Sequence, residues 1–514
     1  MKVVFRADAS IHIGTGHIAR CKTLADELRR RGADILFVCR EHPGHQTQGL
    51  RRAGFFVVTL PAPPAPESAR EDYASWLGVS EAADAQQTIA AAEKADWLVV
   101  DHYGLGPEWE KALRSVAPHI LAVDDLDRAH DADVVLDQNL SDKPARYANV
   151  PPACKKLLGP RFALLGAEYR SGAEAAQSEA RRILVFFGGA DPKGATRAAV
   201  EALDDPGLAA MHFDVVIGAA NPERRSLEAW AGRRARTTVH IGAPSLRGLM
   251  AQADIAVGGG GITMLERCCV GLPAVVMTVA ANQVPGTRAM AAEGAIAYLG
   301  DFDTAGVTGL ATVVRDLAAD AEGRRHMTER GRLLVDGWGA ARVAEQILPT
   351  PASGLALRPA EAGDCGFYFA LVNDPDVRRA SFQSAPIPWV QHRRWFDAKR
   401  TAPDSHLWVM TAGALPVGQL RLDRKDPYTY IDYSLDPLVR GRGWGRAIIA
   451  LGLRRIFESE SPVIRAEVKG GNVASRAIFE KLGFREVLSA QDGTTTFEID
   501  RETFAVADLR DRTK

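Results

Sequence analysis

The first part of the chain alternates short apolar runs with segments of helical spacing. Residues 3–5 are Val-Val-Phe, which predicts a buried strand, and Ile18, Leu24 and Leu28 then recur at roughly the spacing of one helix face. Further apolar runs of strand length follow at 35–38, 55–58, 97–100 and 120–123. Strands that alternate with helices form parallel sheets covered on both faces, so this pattern predicts an α/β fold.

The same pattern begins again near residue 167. Largely apolar runs at 183–187, 213–217 and 254–257 each lead into glycine, and another run follows at 274–277. We therefore predict two Rossmann-like domains, spanning residues 1–166 and 167–348. Ligands of open α/β sheets bind beyond the carboxyl ends of the strands, so the two domains are expected to face each other across a ligand-binding cleft.

A different pattern follows residues 349–354, a short, proline-rich and uncharged segment that we interpret as a linker. Strands at 407–410 and 417–422 are separated by a turn at 412–414 instead of a helix, which favours antiparallel pairing. The remaining residues, 355–514, are therefore predicted to form a separate α+β domain.

The composition is that of an ordinary globular protein. The 514 residues include 63 Lys and Arg against 64 Asp and Glu, and this balance argues against a dedicated nucleic-acid-binding protein. No apolar stretch approaches the roughly 18 residues that span a bilayer, and charges come too early for a signal peptide. The six cysteines lack the C-x-x-C spacing of a zinc site. We therefore expect a cytoplasmic protein with neither membrane nor nucleic-acid partners.

A glycine turn and a histidine stand between the first strand and its helix. Gly14 and Gly16 permit a tight turn that brings backbone N–H groups toward a ligand. His17 would then lie at the helix N-terminus, where the positive end of the dipole favours a neutral imidazole that can accept a proton. The alternative is that His17 only caps the helix or packs against it.

Four consecutive glycines at 258–261 follow an apolar strand. Such a run is costly in entropy unless something approaches the backbone closely. A helix starting near Thr263 would point its N–H groups at a pyrophosphate. Glu266 would fall in its first turn, suited either to a ribose diol or simply to the helix dipole. Gly188 and Gly189 supply a second glycine turn after the strand at 183–187.

Several motifs within residues 1–348 occur together in one enzyme family. They are Arg-Ala-Asp-Ala-Ser at 6–10, Ile-Gly-Thr-Gly-His-Ile-Ala-Arg-Cys at 13–21, Phe-Gly-Gly-Ala-Asp-Pro at 187–192, the glycine run and helix start at 258–266, Ala-Asn-Gln at 281–283 and Leu-Val-Asp-Gly-Trp-Gly at 334–339. This set resembles the UDP-2,4-diacetamido-2,4,6-trideoxy-β-L-altropyranose hydrolases of pseudaminic acid biosynthesis. That family is similar in fold to the glycosyltransferase-B class, in particular the lipid II-forming N-acetylglucosaminyltransferase. The resemblance implies a UDP-sugar bound between the two domains, with UDP held mainly by the second.

The resemblance also implies roles for individual residues. His17 would be the catalytic acid/base, Asn282 would contact the sugar or the attacking water, and Tyr103 would line the opposite wall. Asp101 or His102 could serve instead, and Tyr103 could be a packing aromatic. The residues expected to contact the UDP-sugar are Arg6, Asp8, Gly14, Gly16, Gly188, Gly189, Gly259, Gly260, Gly261, Glu266 and Gln283.

The implied reaction is chemically reasonable for these groups. A neutral imidazole can take the proton of a water molecule that attacks the anomeric carbon. UDP is a good leaving group once its pyrophosphate meets helix dipoles and backbone donors. No metal is therefore expected.

A second glycine-rich motif lies in the last domain, between a probable strand at 430–435 and a strongly helical segment. An R-x-x-G-x-G motif in this position presents N–H groups to a pyrophosphate. Together with the motif at 472–484 it resembles the GNAT N-acetyltransferase superfamily, which implies acetyl-CoA as co-substrate. The expected acetyl-CoA contacts are Arg440, Gly441, Arg442, Gly443, Trp444, Gly445, Arg446, Asn472, Ser475 and Phe479.

Two of these residues carry alternatives. Asn472 could be a helix N-cap, alone or while also contacting CoA. Many GNAT enzymes have Tyr where this chain has Phe479, and that Tyr protonates the departing thiolate, which Phe cannot do. The proton would then come from Asp432, Tyr433, Ser434 or bulk water. Asp432 is also a candidate catalytic residue for deprotonating an ammonium substrate, or equally a surface residue of its strand.

Residues 377–381 and 387–396 resemble the GNAT member that acetylates the 4-amino group of the same UDP-sugar. That acetylation directly precedes the hydrolysis, so our hypothesis is a bifunctional enzyme that carries two consecutive steps. One alternative is a glycosyltransferase that uses the same cleft. Another is a UDP-sugar-binding module joined to a protein-directed acetyltransferase.

Overall fold

The computed structural model describes residues 1–63, 73–170, 179–219 and 221–512. The chain divides into two compact units, Met1–Leu348 and Pro349–Lys514. The first unit holds two parallel sheets and the second a mixed sheet. Within the described ranges, no helix is both long and apolar enough to cross a membrane.

The first sheet has seven parallel strands in the order β3-β2-β1-β4-β5-β6-β7. Because the order reverses between β1 and β4, the loops after these strands diverge and leave a crevice. The strands and helices of this first domain are β1 (Lys2–Ala7), α1 (Gly16–Arg30), β2 (Asp34–Arg40), α2 (Thr47–Arg52), β3 (Phe56–Leu60), α3 (Glu81–Ala92), β4 (Trp97–Asp101), α4 (Pro107–Leu113), β5 (His119–Val123), β6 (Val134–Asp137) and β7 (Lys155–Leu158).

The second sheet repeats this topology with six parallel strands in the order β10-β9-β8-β11-β12-β13, which places the crevice between β8 and β11. The predicted α/β fold with two Rossmann-like domains is confirmed. The elements are β8 (Arg182–Phe186), α5 (Ala195–Ala202), β9 (His212–Ile217), α6 (Arg224–Gly232), β10 (Thr237–Ile241), α7 (Arg247–Gln252), β11 (Ile255–Gly259), α8 (Ile262–Val270), β12 (Ala274–Thr278), α9 (Gln283–Ala292), β13 (Ala297–Asp301), α10 (Phe302–Ala305), α11 (Leu310–Ala319), α12 (Ala321–Leu334) and α13 (Gly339–Ile347).

The last helix of this unit, α13, packs back onto the first Rossmann-like domain. The Arg31 guanidinium, at the end of α1, donates to Glu345 Oε2 at 2.7 Å and to the Ala341 carbonyl at 3.1 Å. A Cβ on Gly339 would lie 2.2 Å from the Ala163 carbonyl oxygen, so the backbones meet closely there. The end of the unit therefore ties its two sheets together.

The second unit has a seven-stranded sheet in the order β14-β15-β16-β17-β18-β20-β19, and the predicted α+β class is confirmed. All neighbours pair antiparallel except β17 and β18. The elements are β14 (Leu355–Pro359), α14 (Cys365–Val372), α15 (Pro375–Ala380), α16 (Trp389–Thr401), β15 (Ser405–Ala412), β16 (Leu415–Lys425), β17 (Tyr428–Leu435), α17 (Trp444–Ser459), β18 (Val463–Val468), α18 (Val473–Lys481), β19 (Arg485–Ser489), β20 (Thr495–Ile499) and α19 (Arg501–Arg512).

The parallel pair β17 and β18 separates along its length. Pairing covers only Tyr428–Tyr430 against Val463–Arg465, although β17 continues to Leu435 and β18 to Val468. Beyond Tyr430 the two strands therefore do not pair with each other. The glycine-rich turn at 440–443 follows the unpaired end of β17 along the chain.

Packing inside the protein explains part of the glycine run at 258–261. A Cβ on Gly258 would lie 2.2 Å from the Phe186 carbonyl oxygen of the neighbouring strand and 2.4 Å from Nη1 of Arg267. Gly259 differs, because a Cβ there would make only ordinary contacts at 3.8 Å. Gly258 is thus required for the packing of β8, β11 and α8.

We expect Gly258→Ala to destabilise the first unit by about 1–3 kcal/mol, because overpacking a closed site displaces backbone. The matched variant Gly259→Ala should have little effect. Thermal unfolding of the full chain, followed by circular dichroism, measures the difference. Equal midpoints for the two variants would contradict this account of the glycine at 258.

Candidate active sites

His17 and Asp101 meet at the crevice of the first sheet. His17 is the second residue of α1, which follows β1, and Asp101 ends the neighbouring strand β4. The Nδ1 atom of His17 lies 2.6 Å from Asp101 Oδ1. Arg20, one helical turn after His17, donates to the same carboxylate through Nε and Nη2, each at 2.6 Å. Asp101, an alternative in the sequence analysis, is therefore the partner that orients the histidine.

These contacts determine the charge of Asp101. Burial alone would raise the pKa of the Asp101 carboxyl, but Arg20 and His17 hold that pKa well below its usual range. The ionised carboxylate accepts a hydrogen bond from the N–H group at His17 Nδ1. In the neutral imidazole this leaves Nε2 as the atom that can accept a proton.

Tyr103 and Asn282 join the two Rossmann-like domains. The Tyr103 hydroxyl donates to Asp125 Oδ1 at 2.5 Å, and Asn282 Nδ2 donates to that hydroxyl at 3.4 Å. Asn282 immediately precedes α9, but its side chain does not cap this helix. Tyr103 was expected on the wall opposite Asn282, and the structure brings the two side chains into contact.

An aromatic wall surrounds His17. The Tyr103 ring lies edge-on to the imidazole, with ring centroids 4.8 Å apart. The centroid of the Trp76 ring lies 6.3 Å from that of the imidazole. Tyr73 contacts Trp76 and Tyr103, with both centroid distances 4.9 Å. Such a wall suits the apolar face of a sugar ring.

Arg20, Asp125 and this aromatic wall were not predicted from the sequence. Arg20 had a signal, since residues three apart share a helix face and His17 was already identified. Asp125 also had one, because it closely follows β5 at the edge of the sheet that carries the site. Nothing in the sequence around Trp76 indicated that it would approach His17.

Arg6 and Asp8, expected to contact the UDP-sugar, have fully buried side chains. Arg6 pairs with Asp8 at 2.6 Å and with Asp84 at 2.7 Å, and Asp8 Oδ1 accepts the Arg40 backbone N–H at 2.7 Å. Their side chains therefore act from beneath the site, where they join the ends of β1 and β2. Any role toward a substrate is indirect.

His102 faces the same buried network. Its Nδ1 accepts the Gly104 N–H at 3.0 Å, and its Nε2 lies 3.5 Å from Asp8 Oδ2. Burial lowers its pKa to about 3. His102 is thus a neutral, buried histidine.

The predicted glycine turn before α1 is open. A Cβ added at Gly14 or Gly16 would meet no atom of the described residues within 4 Å. Gly14 also adopts a φ of +80°, a conformation that favours glycine. The turn therefore leaves space beside His17 at the start of the helix.

In the second domain the predicted glycines fall into two groups. A Cβ added to a glycine of the first group would lie at least 3.7 Å from every atom of the described residues; this group is Gly188, Gly189, Gly259 and Gly261. Gly260 differs, because its Cβ would lie 2.3 Å from Thr287 Oγ1, so the close neighbour there is the protein itself. Gln283 Nε2 lies 3.7 Å from the Cβ position of Gly261, next to the start of α8. The open glycines and the α8 N-terminus can accommodate a pyrophosphate.

Glu266 corrects one expectation. The helix begins at Ile262 and has no acidic residue in its first turn, so Glu266 lies in the second turn. The side chain is half-buried and hydrogen-bonds with Tyr169. Burial raises its pKa to about 7, in spite of that hydrogen bond.

The glycine turn of the second unit is open at two of its glycines. Gly441 and Gly443 adopt φ values of +80° and +79°, and no atom of the described part of the chain lies within 4 Å of a Cβ at either. Gly443 is the N-cap of α17, so the N–H groups of Trp444 and Gly445 at the helix start follow directly. Trp444 is buried, and the Arg442 guanidinium lies 5.4 Å from its ring centroid.

Three further residues that were expected to bind acetyl-CoA lie in or beside contacts between helices of the second unit. Arg440 pairs with Asp374 at 2.7 Å and Asp376 at 2.8 Å, so it anchors α15. Gly445 allows α17 to approach α18, since its Cβ would lie 2.8 Å from Ile478 Cδ1. Arg446 lies in the first turn of α17, beside this contact.

The start of α18 is held from two sides. Asn472 caps the helix, accepting the Ser475 N–H at 3.1 Å, and the Ser475 hydroxyl lies 3.0 Å from that of Tyr433. Phe479 is buried among aromatic rings. Asp432 is exposed, and its Oδ1 accepts a hydrogen bond from Gln419 at 2.9 Å.

Among the residues that the structure describes, no group of three or more His, Cys, Asp or Glu side chains could hold a metal ion. The six cysteines are free and buried.

Comparison with known proteins agrees with this division of the chain. Residues 355–485 match the acetyltransferase (GNAT) domain family. A region of 233 residues is 26% identical to the UDP-2,4-diacetamido-2,4,6-trideoxy-beta-L-altropyranose hydrolase of Campylobacter jejuni, covering 45% of this chain and 74% of that protein. The chain thus joins a region similar to a UDP-sugar hydrolase with a GNAT acetyltransferase domain.

Two longer matches are also found. The spore coat polysaccharide biosynthesis protein SpsG of Bacillus subtilis is 23% identical, covering 67% of this chain and 96% of that protein. The uncharacterized protein MJ1062 of Methanocaldococcus jannaschii is 20% identical and covers 97% of this chain and 100% of its own length. Among solved structures, MurG of Acinetobacter baumannii is 14% identical with a TM-score of 0.46, covering 67% of this chain and 99% of that one.

The raised pKa of Glu266 predicts a pH-dependent stability. The pKa of this carboxyl is about 7 in the folded state, against an ordinary pKa of 4.5. The folded state is therefore favoured below pH 4.5, and this contribution to stability is lost as the pH rises from 4.5 to about 7. Glu266→Gln should therefore raise the thermal unfolding midpoint more at pH 8.5 than at pH 4.5. Glu228→Gln, an exposed change on α6, is the control. The same gain at both pH values would contradict the shift.

Proposed function

We propose that the chain is a bifunctional enzyme of pseudaminic acid biosynthesis. The GNAT domain transfers acetyl from acetyl-CoA to the 4-amine of a UDP-4-amino-4,6-dideoxy-2-acetamido sugar. The first unit then hydrolyses the UDP-2,4-diacetamido-2,4,6-trideoxyhexose to UDP and free sugar. The observation that carries the hydrolase half is the His17–Asp101 pair at one sheet crevice, in the same compact unit as the open glycines at the other.

The hydrolysis needs a base for water and a stabilised leaving group. Nε2 of His17, oriented by Asp101, takes a proton from the water that attacks the anomeric carbon. The N–H groups at the start of α8 and the open glycines beside them bind the departing diphosphate. Water that attacks opposite the leaving UDP inverts the anomeric configuration. Asn282 holds the water or the sugar, and Tyr103 is fixed beside it by Asp125.

The acetyl transfer places its co-substrate on the turn at Gly441 and Gly443. Backbone N–H groups at the start of α17 bind the pyrophosphate of acetyl-CoA. The acyl arm then enters where β17 and β18 separate. Asp432, at the exposed face of β17, can accept a proton from the ammonium group of the acceptor sugar. The neutral amine that results can attack the thioester.

The two activities are expected to act in sequence. The product of the acetyltransferase is the substrate of the hydrolase. Joining both sites in one chain therefore raises the local concentration of this intermediate near the hydrolase site. No contact between the two units is required for this advantage.

Mass spectrometry of the reaction products tests the proposal. The wild-type chain, given the UDP-4-amino sugar and acetyl-CoA, should yield UDP and free diacetamido sugar. His17→Ala should accumulate the acetylated UDP-sugar, with hydrolysis slowed by about 10²–10⁴-fold. Gly443→Glu should leave the amine unmodified, because a charged side chain at positive φ repels the pyrophosphate and strains the turn.

Each half of the proposal has its own contradicting outcome. Hydrolysis of pre-acetylated substrate should survive in Gly443→Glu, and its loss would contradict independent sites. UDP release that requires a sugar acceptor would indicate a glycosyltransferase. Unchanged UDP release in His17→Ala would favour a UDP-sugar-binding module.

A separate prediction concerns Asp101. In Asp101→Asn the amide can donate to His17 Nδ1, which favours the tautomer whose Nε2 carries the proton and cannot act as base. We expect the hydrolysis rate to fall by about 10²-fold or more, while UDP affinity changes little. Steady-state kinetics and UDP titration measure the two effects. The control is Asp142→Asn, an exposed change, and a similar loss in that variant would contradict the specific role.

A further inference from the structure

Acetyl transfer from CoA leaves a thiolate that must gain a proton, and Phe479 cannot supply one. Phe479 is 3% exposed and packs against Phe484 and Phe497, with ring centroids 4.9 Å and 6.1 Å away. It serves as a core residue. Three side chains of β17 remain as candidate proton donors: Asp432, Tyr433 and Ser434.

The side chains of Asp432 and Ser434 on β17 face away from the Phe479 ring. Gln419 Nε2 donates to Asp432 Oδ1 at 2.9 Å and to Ser434 Oγ at 3.2 Å. Side chains alternate between the faces of a strand, so Asp432 and Ser434 share one face and Tyr433 occupies the other. That leaves Tyr433 on the face covered by α17 and α18.

The contacts of Tyr433 place it at the junction of the predicted acetyl-CoA elements. Its hydroxyl lies 3.0 Å from Ser475 Oγ at the start of α18, and its ring lies edge-on to Phe479 at 6.1 Å. Its Cε2 lies 3.6 Å from the Cβ position of Gly445, in the first turn of α17. The parallel pairing of β17 with β18 ends at Tyr430, so Tyr433 lies beside the opening between the strands.

We propose that Tyr433 is a catalytic residue of the acetyltransferase, which donates its hydroxyl proton to the sulfur of departing CoA while Ser475 holds the hydroxyl in place. This proposal rests on the acetyltransferase half of the proposed function. The tyrosine that many GNAT enzymes carry on the helix at position 479 is thereby replaced by one from the facing strand.

The step balances without a further reactant. The acceptor nitrogen forms a bond to the acetyl carbon, the C–S bond breaks, and its electron pair passes to sulfur. The Tyr433 proton moves to sulfur, and the phenolate regains a proton, through Ser475, from the nitrogen that has become an amide. Burial raises the pKa of Tyr433, which keeps its hydroxyl protonated before the step.

Kinetics of the full chain with the UDP-4-amino sugar test the catalytic role. Tyr433→Phe should lower kcat by about 10²-fold or more, with little change in KM for acetyl-CoA. Adding Phe479→Tyr should restore at least part of the lost rate, because the second hydroxyl enters from the other side of the same cluster. Tyr428→Phe, a matched change on the same strand, should behave as wild type. A Tyr433→Phe enzyme with wild-type kcat would overturn the proposal.

A binding measurement separates this proposal from the identity of the amine. Calorimetry should show that wild type binds CoA about 2- to 10-fold more tightly than desulfo-CoA, the gain expected of one hydrogen bond, and that Tyr433→Phe abolishes the difference. Equal binding of both ligands by wild type would overturn the contact with sulfur. If the difference is present but the UDP-amino sugar is not acetylated, the proposed substrate fails and the role of Tyr433 stands.

Discussion

The buried carboxylate of Asp101 is the interaction on which the first candidate site depends. It binds both His17 and Arg20, and these two partners keep it ionised in a place where burial alone would protonate it. A buried charge of this kind is tolerated only with such partners. The pair exists because β1 and β4 are neighbours at the point where the strand order reverses, which brings the start of α1 beside the end of β4.

Glycines in this protein serve two different physical purposes. Gly258 and Gly260 make room for neighbouring protein atoms, whereas Gly259 and Gly261 leave space beside the start of α8. The same division holds in the second unit, where Gly445 allows α17 and α18 to approach and Gly441 and Gly443 shape an open turn. A glycine-rich motif therefore combines close packing with an open surface, and its sequence does not distinguish the two.

The motifs predicted local turns better than the contacts that individual side chains make. Glycine turns were predicted after apolar strands, and a Cβ added at Gly14 or Gly441 meets no atom of the described residues within 4 Å, because turn conformation is set locally. Arg6 and Asp8 belong to the motif that directly precedes that of His17, yet their side chains point into a buried ion network. Arg440 likewise belongs to the acetyl-CoA motif but pairs with Asp374 and Asp376. A motif thus marks a segment, and neighbouring elements decide what each side chain contacts.

By itself the sequence determined the alternation of strands and helices, the change to antiparallel pairing after the linker, and the glycine turns, because all of these follow from periodicity and backbone conformation over short stretches. Only the tertiary structure decided the pairing of His17 with Asp101, of Tyr103 with Asn282 and of Tyr433 with Ser475. These partners are 84, 179 and 42 residues apart. No local pattern specifies such contacts, since they arise from the order of strands in a sheet and the packing of helices against it.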